Sequence, residues 1–173
     1  MYKSLNKNTG FTIIELMITL AIAAILASIA APSFSELIKN NRMTTQYNQL
    51  LGSLNLARSE AIKRANTVTI CNSSPTCGGN WHSGWIVFVD ENNDGNFDVG
   101  EETIRVHSAL SGNNTLSFAR DYITYGSDAL ATGFTGTFTL CDDRGDSNSK
   151  GLRVSNSGRV RHATASDTLV ACP

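Results

Sequence analysis

The 173-residue chain carries 14 Lys and Arg against 15 Asp and Glu, a net charge of −1, and 41% of its residues are apolar. That balance excludes both a strongly basic nucleic-acid binder and a highly charged disordered chain, so contact with a polyanion must rest on a local patch. The length suits one domain with a core of its own plus a short extra segment. Residues 1–10 are short and polar, with Lys3 and Lys7 and no apolar stretch; without them the net charge is −3. Residues 16–35 hold no charged side chain and are mostly Leu, Ile and Ala. About 20 such residues at ~1.5 Å rise match the ~30 Å hydrocarbon layer of a bilayer, so the run reads as a single transmembrane span. Glu15 stands at its mouth, where an unpaired carboxylate is expensive and needs a partner. A secretory signal is cut after its apolar run, whereas the small residue here, Gly10, lies before it.

The stretch G-F-T-I-I-E-L at residues 10–16 resembles the processing site of type IV pilins and type II secretion pseudopilins. The resemblance implies cleavage after Gly10 by a prepilin peptidase and N-methylation of the new terminus at Phe11. It also implies that Glu15 neutralises the amino terminus of a neighbouring subunit during assembly. A carboxylate buried beside an ammonium costs far less than either charge buried alone, which gives that role a physical basis.

Beyond the span, Pro32 can kink the helix by removing one N–H and crowding the preceding turn. Tyr47, Leu50, Leu51, Leu54, Ala57, Ala61 and Ile62 then recur at i, i+3, i+4 and i+7, one apolar stripe. Arg42, Arg58, Glu60, Lys63 and Arg64 fall mainly off it. The reading is one helix from about 11 to 65, its first half in lipid and its second on a sheet. From residue 67 the period switches to two. Strands are predicted at 67–71, 84–89, 103–107, 116–118, 122–125, 134–140, 151–155, 159–161 and 168–171, separated by Gly, Asn, Asp and Ser clusters. No βαβ rhythm appears, so the sheet should be antiparallel. The fold class is α+β: a long N-terminal transmembrane and amphipathic helix packed on an antiparallel β-rich globular domain. The segments are a leader at 1–10, the membrane half at 11–35, the amphipathic half at 36–66 and the head at 67–173.

Residues 90–101 fit the calcium-loop pattern D-x-[DN]-x-[DN]-G-x5-E, with oxygens at Asp90, Asn92, Asp94, Asp98 and Glu101 and a turn at Gly95. Its flanks read as strands, whereas the calcium module needs helices. Asn and Asp before Gly are also ordinary hairpin chemistry. An acceptor-rich hairpin tip is therefore the expectation, with calcium as the alternative and no other cofactor.

Four cysteines allow three pairings, and Cys71 and Cys77 would close a short loop around Pro75. The pilin resemblance implies a C-terminal disulfide loop, which gives Cys71–Cys77 and Cys141–Cys172 and an oxidising compartment. Zinc is the rival, but there is no C-x2-C pair, and His82, His107 and His162 are scattered. No G-x-S-x-G elbow, H-E-x-x-H pair or phosphate loop is present, and the acids sit in turns. The chain reads as a non-enzyme.

The last distinctive stretch, 150–162, holds Lys150, Arg153, Arg159 and Arg161 with no acid between Asp146 and Asp167. A hairpin with the loop 156–158 sets Ser155 opposite Arg159, Val154 opposite Val160 and Arg153 opposite Arg161. The valines then face the core, and the three arginines share one solvated face. Gly158-Arg159-Val160-Arg161 resembles the G-R-x-R motif of the FimT branch of minor pilins, which is implicated in capturing DNA. The whole chain is similar to minor pilins of the FimT/FimU/GspH group. That resemblance implies a subunit priming or capping a type IV pilus, or a minor pseudopilin of a type II secretion system. Implied partners are other pilins through the N-terminal helix, the prepilin peptidase, the inner membrane and double-stranded DNA at Lys150, Arg153, Arg159 and Arg161. The implied location is the bacterial inner membrane with a periplasmic head, then the filament or pilus tip.

Overall fold

The computed structural model describes residues 10–72, 77–131, 133–164, 166–167 and 171–172. Most of the leader, the loop around Pro75 and most of the predicted strand 168–171 lie outside the described residues. One helix, α1, runs from Ile13 to Arg64, unbroken in its assignment through Pro32. The chain divides into two compact units between Asn40 and Asn41.

In the first unit the helix is long and apolar enough to cross a membrane, by length and composition. Its large side chains, such as Ile13, Leu20 and Leu26, are exposed in the isolated chain. Two of its hydroxyls bond back within the helix, Thr19 Oγ1 donating to the Leu16 carbonyl (2.9 Å) and Ser28 Oγ to that of Ile25 (2.7 Å). Back-bonding of this kind pairs those two polar hydrogens in an apolar surround.

The second unit contains eight strands among the described residues: β1 (Val68–Asn72), β2 (Trp85–Val89), β3 (Thr103–His107), β4 (Thr115–Ser117), β5 (Tyr122–Tyr125), β6 (Gly136–Cys141), β7 (Lys150–Val154) and β8 (Val160–His162). They form two four-stranded sheets, ordered β3-β2-β1-β5 and β4-β6-β7-β8. Every pairing is antiparallel. Each of the first eight predicted strands is present with its ends shifted by two residues or fewer, so alternation and turn chemistry located them correctly.

The helix buries Met43, Gln46, Leu50, Ser53, Leu54, Ala57 and Ala61 at three- and four-residue spacing. Tyr47 and Leu51 sit at its margin, while Ile62, expected in the stripe, is 55% exposed. The two polar members are paired: Gln46 Nε2 donates to the Ser111 carbonyl (3.0 Å), Gln46 Oε1 accepts from Asn114 Nδ2 (2.6 Å), and Ser53 Oγ donates to the Gln49 carbonyl (2.9 Å). β1 and β2 are buried along their whole length. On one face Val68, Ile70, Trp85 and Val87 join the helix residues with Phe138, Leu152 and Val154 in the main core. On the other, Cys71, Ile86 and Phe88 pack with Cys77, Phe97 and Tyr122 in a second, smaller core. The acidic hairpin and the Cys71–Cys77 bridge therefore roof the sheet that the helix floors.

Candidate functional site

At the N-terminus, Gly10 and Phe11 are exposed, and a Cβ placed on Gly10 would meet nothing within 4 Å. Packing in the isolated chain therefore imposes no glycine at this position. Thr12 and Glu15 form a reciprocal cap at the start of α1. Thr12 N–H and Oγ1 donate to Glu15 Oε2 (2.8 and 2.9 Å), and Glu15 N–H donates to Thr12 Oγ1 (3.2 Å). This is a T-x-x-E capping box, a signal present in the sequence that the sequence reading passed over. It satisfies donors that a helix start leaves open and holds the carboxylate against the positive end of the helix dipole.

Two disulfides staple the second unit, Cys71–Cys77 and Cys141–Cys172. The second ties the C-terminal segment to the end of β6, and beside it the Cys172 N–H donates to Asp146 Oδ1 (2.6 Å).

In the acidic hairpin, the side chains expected as calcium donors are engaged with the hairpin itself. Asp90 is fully buried, accepting from Thr69 Oγ1 (2.7 Å), Asp94 N–H (3.2 Å) and Gly95 N–H (3.0 Å). Asp94 accepts from Asn96 N–H (2.7 Å), and Glu101 from the N–H groups of Glu91 and Asp98 (3.0 and 2.8 Å). Asn92 turns its amide nitrogen toward Asp94 and Asp98 (3.1 and 2.9 Å), while its oxygen accepts from Asp94 N–H. Such Asx bonding is turn chemistry. Among the described residues no group of three His, Cys, Asp or Glu is arranged to hold a metal.

The basic hairpin has the expected register, Val154 opposite Val160 and Arg153 opposite Arg161, with the Ser155 N–H closing on the Arg159 carbonyl. Gly158 adopts φ +68°, and a Cβ there would collide with the Ala129 carbonyl oxygen. Arg58 clamps the turn from α1, donating to the Ala129 carbonyl (3.2 Å) and the Ser157 carbonyl (3.3 Å).

The four basic residues are not one solvated set. Asp167, the acid that ends the acid-free stretch, folds back onto the arginines. It takes Arg161 bidentately at 2.7 and 2.9 Å and lies 3.8 Å from Arg153 Nε. The Arg161 guanidinium, then the Thr164 N–H, hold its carboxyl well below the usual carboxylate range. Lys150 shares the pleat side of Leu152 and Val154 rather than that of Arg153, because successive residues alternate. It reaches toward the helix, donating to Thr44 Oγ1 (2.7 Å) and lying over the Tyr47 ring. Arg159 is exposed and has no ion-pair partner among the described residues.

A family model described as type II transport protein GspH matches residues 46–158, and one described as the prokaryotic N-terminal methylation motif matches residues 5–31. Among solved structures, the chain is similar to the type IV minor pilin FimU of Pseudomonas aeruginosa strain PAO1. That likeness has 20% identity and a TM-score of 0.61, covering 78% of this chain and 98% of that one. It is also similar to the minor pseudopilin EpsH from the Type 2 Secretion System of Vibrio cholerae. There the identity is 11% and the TM-score 0.52, covering 73% of this chain and 99% of that one. Identities this low establish the shared fold alone. No curated protein matches the sequence.

Proposed function

The chain belongs to the GspH family of type II transport proteins, and from that premise we propose that it is a non-catalytic minor subunit that primes or caps a type IV pilus. The observation that carries this reading is the N-terminal constellation: Gly10 and Phe11 exposed, then Glu15 capped by Thr12 at the head of an uncharged helix. A prepilin peptidase cuts after Gly10, and the new terminus at Phe11 is N-methylated, as the matched motif suggests. Glu15 then answers the terminal ammonium of an adjacent subunit, while the apolar helix surface passes from the inner membrane to neighbouring helices. The head stays on the periplasmic side and ends at the filament or pilus tip. The fold serves a type II secretion pseudopilin equally, as the likeness to a structure of that kind indicates.

The test is Glu15→Ala in cells that assemble the filament. The precursor is still cut, but the subunit is not incorporated; normal incorporation would remove the role given to the carboxylate. Gly10→Leu leaves the leader attached, read as an unshifted mass.

A second reading is weak contact of the head with double-stranded DNA. It is supported by exposed Arg159 on the same face as Arg153 and Arg161, with Lys150 contributing only from the adjacent helix side. Guanidinium forks suit phosphate oxygens, and so few contacts give salt-sensitive binding without sequence preference.

A further inference from the structure

We propose that Asp167 is a built-in competitor for the arginine face, occupying in cis the place that an outside phosphate or carboxylate would take on Arg161 and Arg153. The inference rests on the second reading above, in which these arginines meet a polyanion. Arg161 presents both terminal nitrogens to the Asp167 oxygens, the paired geometry with which a guanidinium also grips phosphate. Asp167 is not a loose surface acid. Its side chain is 8% exposed, and Oδ2 also accepts from the Thr164 N–H and Oγ1 (2.7 and 3.0 Å). The segment bearing it is held at both ends. Ahead of it the Ala163 N–H bonds the Gly151 carbonyl (2.8 Å), and behind it the Cys141–Cys172 bridge closes the chain. A ligand tethered over so few residues acts at an effective concentration of roughly millimolar or more, which an outside anion must exceed. Arg161 also spends one nitrogen on the His162 carbonyl (3.0 Å), which fixes the fork toward Asp167. In this state Arg159 is the cation of that face without an ion-pair partner among the described residues, and displacement of Asp167 adds Arg161 and Arg153.

The experiment uses the full chain in a nonionic detergent and has two arms. In the first, inorganic phosphate is titrated while the Arg161 Nε–Hε resonance is followed by 15N NMR. Asp167→Asn is expected to respond at about tenfold less phosphate than the wild type, and Asp167→Glu like the wild type. Equal responses in wild type and Asp167→Asn, or none in either, overturn the proposal whatever DNA does. In the second arm a labelled random duplex is titrated at several salt concentrations. Asp167→Asn is expected to bind roughly fivefold or more tightly, with the salt slope steeper by about 1 to 2, and Arg161→Gln cancels the gain. A phosphate response without DNA binding keeps the competitor and removes the DNA reading. DNA binding equal in wild type and Asp167→Asn, yet lost in Arg159→Gln, keeps the DNA reading and overturns the competitor. Thr164→Ala loosens the carboxylate without changing charge and is expected to shift the phosphate response the same way to a smaller extent. It serves if Asp167→Asn does not fold.

Discussion

Replacing Gly158 by Ala separates two demands that the turn of the basic hairpin makes on one residue. The first is conformational: φ is +68°, and an L side chain in the left-handed region costs about 1–2 kcal/mol. The second is contact. The new Cβ runs into the Ala129 carbonyl oxygen, with Arg58 Nε just beyond it, and neither is the loose end of a flexible chain. Overpacking of this kind adds about 1–3 kcal/mol, so the total is about 2–5 kcal/mol. Gly133 supplies the control, since its φ is +83° and a Cβ there would meet nothing within 4 Å. Gly133→Ala should therefore cost only the backbone part, about 1–2 kcal/mol. For a chain of this size each kcal/mol lowers Tm by roughly 2–4 °C, so Gly158→Ala should melt a few degrees or more below Gly133→Ala. The assay is thermal unfolding of the two variants and the wild type, followed by near-ultraviolet circular dichroism in one detergent buffer. Equal losses would refute the steric argument. No loss in Gly158→Ala would refute the backbone argument too, and the glycine of G-R-x-R would then need another reason.

Leu54→Ala, at a fully buried position, is expected to cost about 2–5 kcal/mol in chemical denaturation, whereas Ile62→Ala, just past the buried stripe, should stay within about 0.5 kcal/mol. Millimolar calcium is expected to leave Tm unchanged because the hairpin acceptors are already engaged; a clear rise that disappears in Asp94→Ala would refute this. The Arg161 and Thr164 donors depress the Asp167 carboxyl, so its contribution is fully present above the unfolded value near about pH 4 and is lost as pH falls through the folded one. The Tm difference between wild type and Asp167→Asn should thus be constant above about pH 5 and shrink below about pH 4. A difference that grows in acid would reverse the assigned sign.

What the sequence could tell followed the range of the interaction responsible. Strand positions and the register of β7 with β8 are local: alternation places Val154 and Val160 together, and Asn-Ser-Gly supplies the turn. The separation of Lys150 from the arginines was equally local. It follows from parity along β7, but grouping residues by charge rather than by face hid it. The Thr12–Glu15 box was legible as T-x-x-E and was overshadowed by Glu15's apparent lack of a partner. The return of Asp167 onto Arg161 was not legible. It depends on a turn at Thr164 and on where the disulfide closes, both set by the assembled head. Burial of β1 and β2 on both faces was hidden for the same reason, since Phe97 reaches the sheet from the acidic hairpin and Tyr122 from β5, a strand distant in sequence that pairs with β1. Ile62 fits the helical period yet lies beyond the sheet's cover, a limit that only the packed unit defines.

The manner in which the acidic hairpin is anchored bears on how such subunits diverge. Asp90 fixes its root from inside, and the Arg64–Glu102 pair (2.7 Å) fixes its base from the helix end. At the crown, by contrast, the side chain of Val99 stands fully in solvent, and Asn93 and Asn96 are exposed. Root and crown are therefore under different constraints. A change at the root disturbs the small core beneath it, whereas the crown can be rewritten at little cost to folding. Descendants of one head can in this way acquire new surface chemistry at the hairpin tip while the buried frame is inherited intact.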